Sequence, residues 1–456
     1  MGATGDLARK KLIPAIYQLF VDKKIKKLLL VGVALTDITR TEFLTTMHPF
    51  ITHLDDEMWD LFQQNILYQK VDVTLQKDFD QLETLVSAEE KARNLSGRRL
   101  LYLALASHFF IPATRHAVQA KLIMQKSADD ASWHRVVYEK PFGHDAASAH
   151  EINETISQCI HEHQIYRVDH YLTKELISNI TMLRFANAIF EPLWNAHGIE
   201  HVQIILNEQA GLAGRASFYE NYGALRDVVQ NHMLELLAIV AMEPPQRLHG
   251  QQMRIERAQV LKSARVTDVV LAQCQEYRNE TGVKKDSKTE TFALLRLVVE
   301  NERWAQVPFY VKTGKYLTKH ETAIHIKFRE TPYTSFFCAQ PAANWLSIRM
   351  ADKDTLSVQV NIKKPMHSHD LTSVALEFCH SCTFGSQTMR AYETLIDDII
   401  HDESSATVGI AEILESWRII DEVYKKNVPI FTYEKGTDGP VQARMFEEKY
   451  HLKWQS

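Results

Sequence analysis

LLLVGVA, residues 28–34, is a short and almost wholly apolar run. It reads as a strand covered on both faces, because a strand with one wet face would alternate. Moving outward, LLYLALA (100–106) and RVVYEKP (135–141) repeat the pattern. The stretches between them are amphipathic: Leu7, Leu12, Ile13, Ile16, Leu19 and Phe20 recur at helical spacing, as do apolar positions in 109–125 and 146–160. Parallel strands joined by helices predict a doubly wound α/β unit. From about residue 200 the texture changes. Segments 201–209, 290–300, 309–314, 322–330, 345–351 and 355–363 read as longer strands, several of them alternating, which predicts a broad sheet with one helix-covered face. Two long apolar helices are expected at 223–241 and 408–426, and the domain boundary near 165, giving domains 1–165 and 166–456.

A length of 456 residues, at roughly 150 per domain, suits two large domains. Fifty-two basic against 57 acidic residues leave a net charge of -5, which argues against nucleic acid as a partner. No apolar run approaches the ~18 residues needed to cross a bilayer, and no signal peptide opens the chain. A cytoplasmic protein with no membrane contact is expected. Five cysteines are too few for a disulfide scaffold, so reduced thiols are the simplest assumption. Cys379 and Cys382 have half the spacing pattern of a zinc or redox site but lack a second pair, which favours a structural reading. His367, His369 and Asp370 read as a solvent-facing loop. With 21 histidines but no H-E-x-x-H string, no metal is expected.

GATGDLARKK (2–11) leads straight into a helix. Two glycines three apart and an Asp near a helix start offer backbone N–H groups and a positive dipole end to a phosphate. Short glycine pairs often only make turns, and a nucleotide loop should follow a buried strand, whereas this one follows Met1. Sequence upstream of Met1 is therefore expected to encode an apolar run of about five residues, as a central parallel strand requires. In EKPFG (139–143), Glu139 and Lys140 sit at a strand's carboxyl end, where open parallel sheets bind ligands. A solvated strand end is the plainer alternative.

YRVDHYLTKE (166–175) gathers hydrogen-bonding and titratable groups. If 170–175 is helical, His170 and Lys174 share a face with Tyr171 nearby, a set suited to a phosphate monoester. In 225–242, Arg226, Asp227, Asn231 and His232 interrupt a core helix. At 3.6 residues per turn His232 points about 140° from Asp227, so the two are poorly placed to pair. A histidine on such a helix is more often core than base unless a carboxylate from elsewhere orients it, and Asp169 is the candidate. KTGKYLTKH (312–320) adds Lys312, Lys315, Lys319 and His320 around a glycine turn, with anion contact and simple solvation both open.

Together these strings resemble the glucose-6-phosphate dehydrogenase family, from residue 2 to about 443. The likeness rests on GATGDLARKK, YEKPFG, YRVDHYLTKE, RFANAIFEPLWN (184–195), YGALRDVVQNH (222–232), VPFYVKTGK (307–315), YETLIDD (392–398) and GTDGP (436–440). It implies a Rossmann-type N-terminal domain, an α+β C-terminal domain with a large mostly antiparallel sheet, and a homodimer or homotetramer. It implies oxidation of glucose 6-phosphate to 6-phosphogluconolactone with hydride passing to NADP, the first oxidative step of the pentose phosphate pathway. His232 would be the general base that takes the anomeric proton, with Asp169 orienting it. His170, Tyr171 and Lys174 would hold the sugar phosphate, and Lys140 would bridge sugar and cofactor. Glu208 and Asp227 would accept from sugar hydroxyls; Lys315 and His320 would complete the substrate site. Gly2, Thr4, Gly5, Asp6 and Leu7 would line the pyrophosphate loop, with Lys11 and Glu139 also on the cofactor side.

The chain departs from the family pattern at several points. Leu35 stands where the family usually has an Arg for the 2′-phosphate of NADP, which brings NAD or dual use close unless Arg40, Lys10 or Lys11 substitutes. Ala106-Ser107 replaces a Pro-Pro pair, Ala213 a Glu, and Ala351 a Gln, while His320 stands for Lys or Arg. Two other readings stay open at this point: a catalytically silent sugar-phosphate-binding paralogue, and a dehydrogenase of a different sugar phosphate.

Overall fold

The computed structural model describes residues 1–456 except 52–53, 213, 338–339, 351–353, 366–369, 380–381, 384–390 and 456. Among the described residues fifteen strands form. Five come first: β1 (Leu30–Ala34), β2 (Ile66–Lys70), β3 (Arg99–Leu103), β4 (His134–Tyr138) and β5 (Ile165–Val168). Next are β6 (Ile199–Asn207), β7 (Ala264–Cys274), β8 (Phe292–Val299), β9 (Pro308–Gly314) and β10 (Glu321–Phe328). The last are β11 (Trp345–Arg349), β12 (Thr355–Lys363), β13 (Leu371–Cys379), β14 (Thr407–Val408) and β15 (Ile430–Tyr433).

The chain divides into two compact units. The first holds Met1–Thr173, Leu248–Arg254 and Met389–Ile413; the second holds Lys174–Arg247, Ile255–Thr388 and Leu414–Ser456. In the first unit β1 and β2 pair in parallel, as do β3, β4 and β5, and β14 closes the edge antiparallel to β5. Residues 1–3 tie these groups together: Ala3 N–H donates to Val33 O at 3.0 Å, and Ala104 N–H to Met1 O at 3.1 Å. The glycine turn therefore leaves the sheet between β1 and β3. Helix Ile13–Val21 packs Ile13 and Tyr17 with Phe43, Met47, Trp59 and Phe62 on one side, and Ala15 and Leu19 with Ile396 on the other. Removing such apolar surface from water is the main favourable term in building this unit.

The second unit is built on a nine-stranded sheet in the order β13-β12-β11-β10-β6-β9-β8-β7-β15. Only β6–β9 and β7–β15 pair in parallel. An α/β Rossmann-type N-terminal unit and an α+β unit on a large, mostly antiparallel sheet are thus both present. Two expectations fail locally. Residues 170–173 form a turn rather than a helix, because Asp169 accepts from Tyr171 N–H at 2.9 Å and Leu172 N–H bonds Asp169 O at 3.1 Å; the helix begins only at Glu175. The cysteines are not all reduced: Cys379, at the end of β13, and Cys382 are disulfide-bonded with Cα atoms 5.2 Å apart. Cys159 and Cys274 are free thiols.

Candidate active-site residues in each unit

Gly2 adopts φ +78°, and a Cβ there would overlap the carbonyl oxygen of Ala104, so only glycine fits where the chain leaves the sheet. Gly5 N–H closes the turn on Gly2 O at 3.0 Å, and the helix begins within three residues. The helix opens at Asp6 and runs on through Ala8–Leu12 in the wide π-helical form. Backbone N–H groups at a helix start suit an anion. The exposed Asp6 reaches along its own helix to Lys10 at 3.0 Å and Arg9 at 2.7 Å, and those cations hold its carboxyl below the usual range. Thr4 Oγ1 meets Thr36 Oγ1 at 3.3 Å, joining the turn to the end of β1. Lys11 is exposed.

Leu35, just past β1, is 65% exposed. Arg40, a possible substitute cation, donates from Nε to Ile66 O at 2.7 Å and from Nη2 to Gln63 O. Lys10 is on Asp6 and Lys70 pairs Asp37 at 2.8 Å. At Ala106-Ser107, which stands in place of the family's proline pair, Ala106 is extended and Ser107–Phe109 makes a single tight turn.

Glu139 and Lys140 follow β4, and the Lys140–Pro141 bond is cis. Glu139 accepts from the Tyr102 hydroxyl at 2.5 Å, and burial pushes its carboxyl up. Tyr392 also faces it. Tyr102 did not stand out in the sequence, since an aromatic in an apolar run reads first as core, and Tyr392 opened the string YETLIDD without a role of its own. Asp169, 2% exposed, follows β5. The His170 and Tyr171 rings lie 4.9 Å apart.

In the second unit Lys174 opens helix Glu175–Phe185; burial lowers its pKa, opposed by the charge of Asp354. Glu208 and Lys315 form an ion pair at 2.8 Å, placed by Glu208 N–H on Gly314 O and Leu317 N–H on Glu208 O. Tyr219, missed in the sequence, stands beside them: Lys315 Nζ lies 5.3 Å from its ring centre. Burial, then the charges of Asp227 and Glu290 among others, hold the Tyr219 phenol well above its ordinary value. Tyr219 thereby marks where Lys315, Glu208 and Asp227 converge. His320 is exposed, with neighbouring Lys319 on Glu321 at 3.0 Å.

The helix carrying His232 is not regular. Leu225–Met233 is π-helical and continues as α-helix Leu234–Ala241. With i→i+5 bonding and about 4.4 residues per turn, residues five apart project about 50° apart rather than 140°. This corrects the expectation that Asp227 and His232 point away from each other: they share one side of the helix. His232 is 3% exposed, and its backbone N–H donates to Asn231 Oδ1 at 2.7 Å. Ala213, Ala351, His367 and His369 lie outside the described residues.

Comparison with known proteins identifies the family. The family model for the glucose-6-phosphate dehydrogenase NAD-binding domain matches residues 1–179, and that for the C-terminal domain matches 181–455. The glucose-6-phosphate 1-dehydrogenase of Bacillus subtilis is 34% identical, over 99% of this chain and 96% of its own. A cytoplasmic one from Arabidopsis thaliana is 34% identical over 98% and 90%. Among solved structures, a glucose-6-phosphate dehydrogenase in complex with its substrate glucose-6-phosphate superposes with a TM-score of 0.91 at 27% identity, covering 100% of this chain and 97% of that one. With both family models and full-length relatives in agreement, the chain belongs to the glucose-6-phosphate dehydrogenase family.

Proposed function

We propose that this chain oxidises D-glucose 6-phosphate to 6-phospho-D-glucono-1,5-lactone, with NADP as hydride acceptor, as the first oxidative step of the pentose phosphate pathway. The observation that carries the reading is the buried His232 on a helix whose wide turns bring Asp227 to the same side, with the Lys315–Glu208 pair in the same unit. His232 takes the proton from the anomeric hydroxyl, and Asp169 orients its imidazole and fixes the tautomer. The nicotinamide ring accepts the hydride from the same carbon. His170, Tyr171 and Lys174 hold the phosphate; a dianion beside Lys174 restores the proton affinity that burial removes. Glu208 and Asp227 accept from sugar hydroxyls, Lys315 and His320 complete the site, and Lys140 bridges sugar and cofactor.

A tight glycine turn feeding straight into a helix start fits a dinucleotide pyrophosphate. Gly2, Thr4, Gly5, Asp6, Leu7 and Lys11 would hold it, with Glu139 and Lys140 at the nicotinamide end. The functional division is placed near residue 165, nucleotide before it and sugar after, with residues 389–413 returning to the nucleotide-binding unit. No described helix is long and apolar enough to cross a membrane. A cytoplasmic homodimer or homotetramer is the assembly that fits the family.

Purified protein given glucose 6-phosphate and NADP is expected to produce reduced nicotinamide. His232→Asn should lower kcat by roughly 10² to 10⁴-fold with little change in KM. Retained turnover in that variant would remove His232 from the role of base.

A further inference from the structure

The segment just before β8 holds two parts of the second unit at once. Glu290 is 3% exposed and makes a double contact with the start of the His232 helix. Its backbone carbonyl accepts from Ala224 N–H at 2.9 Å, and its carboxylate oxygen Oε1 accepts from Leu225 N–H at 3.0 Å. The Tyr424 hydroxyl donates to the same oxygen at 3.0 Å. Gly223 makes room for it, since a Cβ there would overlap the carboxylate. The next residue, Thr291, accepts from Lys315 N–H at 3.0 Å through its carbonyl, and the Tyr433 hydroxyl clasps Lys315 O at 2.7 Å.

A helix bonded i→i+5 leaves its first N–H groups unfilled by the helix itself. At most helix starts a side chain one or two residues upstream supplies an acceptor. Here the helix opens at Gly223 and Ala224, neither of which has a side chain able to cap, and Glu290, 65 residues from Leu225 in sequence, supplies acceptors to its first turn instead. The register of that first turn decides how far round the axis Asp227 and His232 point. Glu290 and Thr291, adjacent in the chain, therefore fix the base-bearing helix and Lys315 relative to each other.

We propose that Glu290 is a positioning residue for the oxidation: its carboxylate, reaching from the segment before β8, sets the pitch and direction of helix Leu225–Met233 and so the aim of His232 and Asp227. The proposal rests on the assignment of His232 as base. A displacement of about 1 Å in such a group can cost on the order of 100-fold in rate.

The test compares Glu290→Asp and Glu290→Gln in the full chain, with His232→Asn as control. Both Glu290 variants keep a polar group in the buried position, which spares the fold, and circular dichroism checks this. Gln has the reach to accept from Leu225 N–H and Tyr424; Asp is one methylene too short. Glu290→Asp is expected to lower kcat at least about tenfold, with KM for glucose 6-phosphate changed less than about threefold and the acid limb of the kcat/KM profile displaced, and Glu290→Gln to recover most of the turnover. If Glu290→Asp turns over within about twofold of the parent, or Glu290→Gln loses as much as Glu290→Asp, the positioning role is wrong. If Glu290→Asp fails to fold, Tyr424→Phe and Gly223→Ala, which disturb the same carboxylate from outside, must lower kcat in its place; parental kcat in both overturns the proposal. Full activity in His232→Asn would instead sink the assignment of the base, a separate failure.

Discussion

At the scale of single residues, the cofactor choice turns on Leu35. Its side chain is 65% exposed beyond β1, while Arg40, Lys10 and Lys70 are engaged by Ile66 and Gln63 carbonyls, Asp6 and Asp37. Of the three candidate substitutes, Arg40 and Lys10 are therefore not ready replacements for the missing guanidinium, which leaves the exposed Lys11, and discrimination between NADP and NAD is expected to be narrow. A hydrogen bond to a charged group is worth about 1.5–3 kcal/mol, so Leu35→Arg should raise the ratio of kcat/KM for NADP over NAD by about tenfold or more. An unchanged ratio would place the 2′-phosphate elsewhere. The identity of residue 35 was legible in the sequence; the commitment of the neighbouring cations was not, because it depends on which carbonyls fold back beside them.

At the scale of elements, β4 illustrates how a strand is anchored. His134, at its first position, is 2% exposed and its Nδ1 accepts from Met124 N–H at 2.9 Å. Burial, then the charges of Arg99 and Lys126, lower its pKa from 6.5 to about 4. The unfolded chain binds this proton more readily, so the contribution is fully present above pH 6.5 and is lost as pH falls through about 4. The shift corresponds to up to about 3 kcal/mol. His134→Gln should be less stable than the parent at pH 7, with the gap in melting temperature closing below pH 4; parallel curves would count against it. Strands with clear apolar runs, such as β1 and β8, were readable from pattern alone. β7 was not, because a bulge between Val266 and Asp268 breaks its alternation, and Asp268 sits in the strand to meet Lys449 and Tyr450. The π-helical turns of Leu225–Met233 were equally invisible, since the apolar spacing of the string is compatible with an ordinary helix.

At the scale of the molecule, the first unit is not contiguous in sequence. Helix Ala391–Ile400 places Leu395 and Ile399 against Val137, Tyr166 and Val168, and Arg135 donates to the carbonyls of Ile399 and Ile400. β14 adds an edge strand to β5, and the Tyr166 hydroxyl donates to Asp402 at 2.7 Å. The nucleotide-binding unit thus draws part of its core from beyond residue 388. Leu395→Ala removes a side chain with no exposed surface and should cost about 2–5 kcal/mol. Limited proteolysis on warming is expected to cut within residues 1–173 earlier in that variant than in the parent. Equal protection would mean the helix is dispensable to the unit.

By itself the sequence determined the alternation of buried strands and amphipathic helices, the glycine turn at residues 2–5, and the polar residues that interrupt an apolar helix at 226–232. These are local properties, set by periodicity and by the conformational range of each residue type. Only the tertiary structure decided which distant groups meet: Glu290 at the start of the His232 helix, Tyr219 beside Lys315, and Leu395 under β4 and β5. A buried carboxylate or tyrosine carries no periodic signal, and its partner is chosen by the fold from anywhere along the chain.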